Sequence, residues 1–200
     1  MKREREAGSR KKNVRSRPFL SVRLFLRVFV ASRRKIFRES LKKDLEILGM
    51  IRKARITDVV EIHKILQDFA AEGTLLPRAL SELYSTLRDL VVFEDETGRV
   101  VGCCGLHIFW EDLAEIRSLA VLKTHQRRGI GRLLVESCLS EAKSLGILKL
   151  FTLTYQVEFF GHLGFRSVDK NMFPQKVWAD CVHCPKFPNC DESALLLDIA

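Results

Sequence analysis

The sequence lacks the long apolar run that a membrane-spanning helix requires. Such a helix needs about 20 apolar residues, whereas the apolar stretch Pro18–Ala31 is interrupted by Arg23 and Arg27 and holds no apolar run longer than four residues. The two arginines also argue against a secretory signal, because they lie inside what would be its apolar region. Internal repeats and long low-complexity segments are absent as well. With 200 residues, 46% of them apolar, the chain can bury one good core but hardly two.

Excess positive charge is missing outside the N-terminal quarter. Residues 1–50 contain 16 Lys/Arg and 5 Asp/Glu, a net charge of +11, whereas the other 150 residues contain 18 and 20, a net charge of −2. A basic surface indicates a polyanion partner only where it lies, so we expect no nucleic-acid partner for residues 50–200. We interpret residues 1–49 as a basic extension, either disordered or an amphipathic helix. An organelle-targeting segment and a partner-binding helix remain open, and an upstream extension with translation starting at Met50 is favoured.

Six cysteines without a signal peptide indicate a reducing compartment, so we expect a cytoplasmic protein. Three of them fall inside patterned segments and are expected to be buried thiols: Cys103, Cys104 and Cys138. The others follow a C-x2-C-x5-C spacing in the C-terminal segment 176–191: Cys181, Cys184 and Cys190. With His183 they could supply four zinc ligands. A second C-x2-C pair is absent, however, so we expect reduced structural thiols and no metal.

From Ile51 onward, strand and helix patterns alternate, which predicts a mixed α/β layered domain. The predicted strands are Ile51–Arg55, Asp89–Glu94, Arg99–Phe109, Ala114–Lys123, Leu148–Thr154 and Ala194–Ile199. Four helices are predicted. The first is capped by Thr57 and has Val59, Ile62, Leu66 and Phe69 on one face, and the second has Pro77 in its first turn. The third runs from Ile130 to Leu145 and is closed by Gly146, and the fourth covers Val157–Leu163. Residues Asp95–Gly98 form a predicted turn. The strand–helix–strand order over residues 114–154 predicts two parallel strands.

A glycine-bearing segment lies between that first strand and its helix, with the sequence Gln126-Arg127-Arg128-Gly129-Ile130-Gly131. Its glycines remove side chains where backbone N–H groups could converge on an anion, and a helix N-terminus adds about half a positive charge. Three arginines could reinforce this site: Arg127, Arg128 and Arg132. A tight turn with packing glycines is the alternative. The dinucleotide motif G-x-G-x-x-G and the P-loop motif are both absent.

The pattern [Q/R]-x-x-G-x-G, after a strand ending Leu119-Ala120-Val121, resembles the coenzyme A signature of the GNAT superfamily of N-acetyltransferases. The resemblance extends through Lys149-Leu150-Phe151 and the closing Phe159–Phe165, and it covers about Ile51 to Val168. It implies an α/β (α+β) GNAT fold for residues 50–200, with a mixed, mostly antiparallel sheet, a splayed parallel strand pair and helices on both faces. It further implies acetyl-CoA as co-substrate, bound by Leu119, Ala120, Val121, Gln126, Arg127, Arg128, Gly129, Ile130, Gly131 and Arg132, with a backbone N–H near Val121 receiving the developing oxyanion.

The resemblance also suggests catalytic residues. Glu115 lies where some GNAT enzymes place their general base, although an exposed strand glutamate is the plain alternative. Strand alternation is expected to put Glu115, Arg117 and Leu119 on one face. Many GNAT enzymes have a tyrosine acid at the position of Phe160, which cannot donate a proton, and Tyr155 is the nearby replacement. A thiol has a pKa of about 8.5, so the leaving group needs only modest assistance.

Stretches Leu75–Leu83, Asp89–Val92, Ala114–Val121 and Lys149–Thr154 look like the acetyltransferase domain of N-acetylglutamate synthase, and Lys176–Pro188 resembles its short stand-alone form. This implies acetyl transfer to the α-amino group of L-glutamate, opening arginine biosynthesis. Basic residues must then receive two carboxylates. The candidate substrate-binding residues are Arg78, Arg117, Ser118 and Lys176, and surface ion pairs are the alternative for the basic ones. Glutamine, a protein N-terminus, a non-catalytic coenzyme A-binding module and a basic arm bound to nucleic acid remain alternatives, and a homodimer stays open.

Overall fold

The computed structural model describes residues 49–173, 182, 186 and 189–199. Its strands are β1 (Gly49–Lys53), β2 (Leu90–Asp95), β3 (Val100–Ile108), β4 (Leu113–Val121), β5 (Lys149–Thr154), β6 (Arg166–Ser167) and β7 (Ser193–Asp198). Its helices are α1 (Val59–Ala71), α2 (Leu80–Ser85), α3 (Ile130–Ser144) and α4 (Val157–His162). None of the helices in these ranges is long and apolar enough to cross a membrane. The predictions for residues 1–48 lie outside the described residues.

The seven strands form one sheet in the order β1-β2-β3-β4-β5-β7-β6. Neighbouring strands are antiparallel except β4 and β5, which run parallel because α3 returns the chain to the same end of the sheet. The parallel pairing starts at Leu113↔Lys149 and stops at Glu115↔Phe151, so residues 116–121 of β4 have no β5 partner within the described chain. This confirms the predicted mixed sheet and its splayed parallel pair.

Helices cover both faces of the sheet, as predicted. On one face α3 buries Leu134 and Cys138 against Cys104 and Leu150. On the other face α1 and α2 bury a second cluster that includes Val59, Ile62, Leu66, Leu83, Val92 and Ala120. Burying a side chain of this size contributes about 1.5–3 kcal/mol, so these two layers hold β4 between them. The thiols predicted to be buried are buried and free: Cys103, Cys104 and Cys138.

Two predicted helix starts are wrong. Thr57 lies in a short 3-10 turn over Ile56–Asp58, and α1 begins at Val59 after Asp58. The Asp58 carboxylate accepts the backbone N–H of Arg55 at 2.7 Å and so closes this turn before the helix. Pro77 is not in a helical first turn, because Ala79 is still extended, with φ −67° and ψ 144°, and α2 starts at Leu80.

The predicted turns are confirmed. Asp95 accepts the backbone N–H groups of Thr97 and Arg99 at 2.9 and 3.0 Å, and Gly98 has a φ of 82°. Gly146, with a φ of 78°, follows α3 as a left-handed cap. The six predicted strands are all found, and each end lies within two residues of its expected position. Strand β6 was missed, because two residues are too short to show an alternating pattern.

Candidate functional site

The separation of β4 from β5 opens a cleft with a volume of about 1270 Å³. Its walls come from the α1–α2 connection, β4, the loop before α3, the end of β5, α4 and the segment before β7. Every predicted site residue lines this cleft except Arg128, whose side chain is exposed, and Lys176, which lies outside the described residues. The cleft has two parts. The loop half consists of residues 119–132, and the charged half consists of Arg78, Glu115, Arg117, Tyr155 and Glu192.

The loop half presents backbone N–H groups at the start of α3. Gly129 directly precedes the helix in the left-handed conformation, with a φ of 88°, and Arg127 has a φ of 60°. Glycine adopts such a conformation without the steric cost that a Cβ atom brings. The first N–H groups of any α-helix have no intrahelical partner, and they carry the positive end of the helix dipole. This corner therefore has the backbone geometry that suits an anion such as a phosphate group.

Side chains fix the same corner to the sheet. Gln126 Nε2 donates to the carbonyl oxygen of Val121 at 3.0 Å, which ties the loop to the end of β4. The Arg128 guanidinium donates to the carbonyl of Thr124 at 3.1 Å, so its side chain stabilises the loop rather than lining the cleft. Arg132 pairs with Glu136 one helical turn away at 2.6 Å and still borders the cleft.

The free edge of β4 offers hydrogen-bonding groups to the gap. Leu122 donates to Val101 at 2.8 Å, which makes this a hydrogen-bonded pair, whereas Val121 and Gly102 form the next pair along the ladder. Because antiparallel pairs alternate, the N–H of Val121 points away from β3 and into the gap. A Cβ atom on Gly131 would stand 3.6 Å from the Phe159 ring and 3.9 Å from Val121, so glycine keeps this space open. The gap therefore has an unpaired strand edge along one side and open space beside Gly131.

A β-bulge interrupts β4 within the cleft. Gly105 pairs with Arg117 and Cys103 pairs with Ala120, so Ser118 and Leu119 together oppose Cys104 alone. Ser118 has a φ of 54°, and its carbonyl accepts the Cys103 thiol at 3.4 Å. Such bulges turn side chains to new directions and are frequent beside active sites.

The bulge reverses the alternation of side chains along β4. Leu119 packs with Ala114 and Ile116 on the α3 face, whereas Ala120 packs on the face of α1 and α2. The prediction that Leu119 shares a face with Glu115 and Arg117 is therefore wrong. One extra residue shifts the period of two, and the sequence does not mark where this residue is inserted.

An ion pair connects Glu115 and Arg117, the two residues of the charged half that lie on β4. Arg117 Nη1 lies 4.0 Å from Glu115 Oε2, and both side chains are largely buried. Arg117 Nη2 lies 3.7 Å from Asp89 Oδ2, which in turn contacts His107 Nδ1 at 2.6 Å. A carboxylate and a guanidinium thus stand together beside the point where β4 and β5 separate, where they can bind an ionic ligand.

Arg78 approaches the cleft from the α1–α2 connection. Its guanidinium lies 2.9 Å from the Glu82 carboxylate, four residues later, and its side chain is largely buried. Ser118 lines the cleft at the bulge. The structure therefore brings Arg78, Arg117 and Ser118 to one cavity, although they come from two distant parts of the chain.

Tyr155, at the end of β5, is held by charged neighbours. Its hydroxyl donates to Asp191 Oδ1 at 2.6 Å and accepts a hydrogen bond from Lys186. Burial and the hydrogen bond to Asp191 raise the pKa of Tyr155 above its ordinary value, so the hydroxyl keeps its proton at neutral pH. Phe160 is buried between the rings of Phe159 and Phe165 and offers the cleft only carbon.

Glu192 and Lys170 are among the charged residues that line the cleft and that the sequence analysis missed. Glu192, just before β7, is only 7% exposed, and burial raises the pKa of its carboxyl. Lys170, in the short turn Lys170–Met172, donates to the carbonyl of Cys190 at 2.9 Å. No signal in the sequence marks them, because an acidic residue before an apolar strand is ordinary. Only the position of β7 beside β5 brings Glu192 to the cleft.

Metal ligands do not cluster in the described ranges, where no three His, Cys, Asp or Glu residues converge. Cys190 contacts Glu192, with Sγ 3.9 Å from Oε2. Cys181 and Cys184 lie outside the described residues. The expectation of reduced structural thiols in this segment stays a prediction.

Comparison with known proteins gives a consistent family for this cleft. Residues 59–165 match the acetyltransferase (GNAT) family. An uncharacterized N-acetyltransferase of Chlorobaculum tepidum is 41% identical over 146 residues, which cover 73% of this chain and 94% of that protein. An amino-acid acetyltransferase of Mycobacterium tuberculosis is 37% identical over 122 residues, covering 60% of this chain and 70% of that protein.

Solved structures agree with the fold. A Mycobacterium tuberculosis protein crystallised with CoA and NLQ has a TM-score of 0.67 and 31% identity, covering 76% of this chain and 99% of that one. N-acetylglutamate synthase from Neisseria gonorrhoeae, in complex with coenzyme A and N-acetyl-glutamate, has a TM-score of 0.70 and 25% identity. The match covers 76% of this chain and 35% of the synthase chain.

Proposed function

The chain belongs to the acetyltransferase (GNAT) family and takes acetyl-CoA as its acyl donor, and from this premise we propose that it acetylates the α-amino group of L-glutamate. One observation carries the proposal: Arg78 and Arg117 flank a single cleft whose β4 wall also holds Glu115. Glutamate brings two carboxylates and one amine, and this set of groups is complementary to them. Named relatives among the amino-acid acetyltransferases support the same acceptor class.

The loop half would hold acetyl-CoA, whose thioester supplies an activated acetyl group. The N–H groups at the start of α3 would bind the pyrophosphate, and Gly131 would leave room for it beside Phe159. The unpaired edge of β4 would position the pantetheine arm. The N–H of Val121 would stabilise negative charge on the acetyl oxygen as the amine attacks.

The charged half would hold the amino acid. At neutral pH the α-amino group of most acceptor molecules carries an extra proton. Glu115 would accept this proton, and Arg117 beside it would bind a carboxylate of the acceptor. Arg78 would take the second carboxylate or share the first. Tyr155 retains its proton and would be the only described tyrosine lining the cleft that can protonate the departing thiolate.

Glutamine is a second candidate acceptor, and a specific observation favours it. Glu192 places a buried carboxyl in the same cleft, where it would repel a second carboxylate on the acceptor. Glutamine offers an amide at that position and avoids the repulsion.

Release of free thiol from acetyl-CoA, measured with a panel of amino acids and one peptide with a free N-terminus, tests the proposal. We expect turnover with L-glutamate, and we expect it to disappear when the α-amine is blocked. Turnover with the peptide alone would contradict an amino-acid acceptor. Binding of CoA without thiol release for any acceptor would contradict the enzymatic function.

We also propose that residues 50–200 contain the whole catalytic domain. Deletion of residues 1–49 should then leave kcat/KM for both substrates unchanged within twofold. A larger loss would assign a role in catalysis or stability to the basic extension.

A further inference from the structure

Glu192 is a largely buried acid in the cleft that takes no part in the proposed acetyl transfer step. It precedes β7, and the pairing of Thr154 with Ser193 places it beside the end of β5. Its side chain lines the same cleft as Arg117. The Cys190 thiol, 3.9 Å from Oε2, is a weak hydrogen-bond donor. A buried carboxyl with such a neighbour is poised to interact with a ligand in the cleft.

Glu192 and Arg117 lie on the same face of the sheet. Ala194 packs with Leu113 and Phe151 on the face opposite α3, and strand alternation carries Glu192 to that face. Arg117 lies four residues after Leu113 and before the bulge, so it shares this face as well. The two side chains therefore border the same part of the cleft from opposite walls.

Arg117 and Glu192 lie on opposite sides of the gap between β4 and β5. Arg117 is two residues beyond the last β4–β5 pair, Glu115↔Phe151, and Glu192 precedes Ser193, which pairs with Thr154 at the end of β5. The α-carboxylate and side-chain carbonyl carbons of extended glutamate are about 5 Å apart, so an acidic amino acid or its amide has a polar group at each end. An amino acid held at Arg117 by its α-carboxylate can direct the end of its side chain across the gap towards the wall that holds Glu192.

The charges around Glu192 are already engaged with each other. Lys170 donates to the Cys190 carbonyl at 2.9 Å, and Lys186 contacts both Tyr155 and Asp191. Burial raises the pKa of Glu192, while Lys186 and Lys170 act in the opposite direction and Asp191 adds to the increase. The carboxyl consequently takes up a proton at a higher pH than an exposed glutamate does.

We propose that Glu192 is a specificity-determining residue that reads the end of the acceptor side chain. As a carboxylate it rejects a second carboxylate and accepts an amide N–H, whereas its protonated form admits both. Glutamate is then acetylated efficiently only when Glu192 carries a proton, and glutamine is acetylated whether or not it does. This inference rests on the proposed amino-acid acetyltransferase function and adds to it a pH-dependent choice of acceptor.

The test is the ratio of kcat/KM for L-glutamate to kcat/KM for L-glutamine, measured by thiol release from pH 5 to pH 9. The ratio cancels the ionisation of the α-amine, which both acceptors share. In the unaltered protein we expect the ratio to fall at least tenfold as pH rises. In Glu192→Gln we expect a flat ratio, at least tenfold higher than that of the unaltered protein at pH 8.

Asp198→Asn is the matched control, because it removes an acid from the strand that follows Glu192, at an exposed ion pair with Arg166. It should reproduce the pH dependence of the unaltered protein. If Glu192→Gln folds poorly, Glu192→Asp serves as the second variant. It keeps the charge, so its ratio should still fall as pH rises. A ratio that is independent of pH, or unaffected by Glu192→Gln, overturns the inference while glutamate turnover keeps the proposed function. Absence of turnover with both amino acids overturns the proposed function, and the inference falls with it.

Discussion

The loop half and the charged half of the cleft are built in different ways. The loop half comes from one continuous segment, residues 119–132, and its proposed binding groups are backbone N–H groups at a strand edge and a helix start. The charged half consists of side chains from the α1–α2 connection, β4, β5 and the segment before β7. In the proposed binding mode, backbone groups would bind what every acetyl-CoA has in common, namely phosphates and an extended arm. Side chains from distant segments would recognise what differs between acceptors.

This difference predicts which half tolerates change. A substitution in the loop half acts through backbone conformation, and most side chains there can vary without moving an N–H group. A substitution in the charged half removes or adds a charge in a cleft with buried ion pairs, where electrostatic effects are larger than in water. Four substitutions outside the Glu192 test measure this contrast.

Glu115→Gln should give the largest effect. The amide cannot accept the proton of the acceptor amine, so kcat should fall about 100-fold or more, as for loss of a general base, while the affinity for acetyl-CoA stays unchanged. Steady-state kinetics with both substrates varied measure this split. Glu111→Gln is the control, because Glu111 is exposed outside the cleft. An unchanged kcat for Glu115→Gln would contradict the role of Glu115 as a base.

Gly129→Ala should weaken CoA binding about tenfold or more, because a Cβ atom disfavours the left-handed backbone that aims the N–H groups. Gly146→Ala is the matched control at the other end of α3, with a φ of 78° and open space around it. Both variants should lose about 1–2 kcal/mol of stability, but only the first should bind CoA less tightly in calorimetry. Equal affinities would refute the corner as the phosphate site.

Tyr155→Phe should lower kcat about threefold at most. The thiolate needs modest assistance, and the Tyr155 hydroxyl is engaged with Asp191 and Lys186. Tyr84→Phe, the other tyrosine of the chain, is exposed on α2 and serves as the control. A loss of 100-fold or more for Tyr155→Phe would show that this hydroxyl is the essential acid.

Asp58→Asn should affect neither half and change only stability. Burial acts to raise the pKa of Asp58, but hydrogen bonds from Arg52 and from the Arg55 N–H hold it below the ordinary value. The substitution should cost about 1–3 kcal/mol at pH 7, with kcat/KM unchanged.

The pH dependence of this loss follows from the lowered pKa. The stabilisation by Asp58 is fully present above the unfolded pKa of about 3.9 and disappears as the pH falls through the lower folded pKa. Urea unfolding at pH 7 and at pH 3 should therefore show a smaller difference between the two proteins at the lower pH. A difference that grows at acidic pH would exclude this linkage.

Much of the fold could be predicted from local patterns. The sequence predicted the apolar stripe of α3, the glycines on either side of that helix and the order of β4, α3 and β5, because each depends on residues a few positions apart. The helix start at Thr57 was mispredicted because the Asp58 carboxylate competes for the same turn. The bulge at Ser118 was invisible, since its insertion depends on pairing with β3. Arg78 and Arg117 were expected as charges, but the partner Glu82 of Arg78 and the partner Asp89 of Arg117 became known only from packing.

The sequence by itself determined the loop half, because a glycine before a helix and a strand before that glycine are neighbours along the chain. The helix dipole, the left-handed glycine and the N–H groups without an intrahelical partner all follow from that order. Only the tertiary structure decided the charged half. Glu192 comes to the same cleft as Arg117 only because the chain closes the sheet with β7 beside β5, and sheet order is set by the burial of whole strands. Burial then changes the pKa of Glu192, a property that no neighbouring residue in the chain encodes.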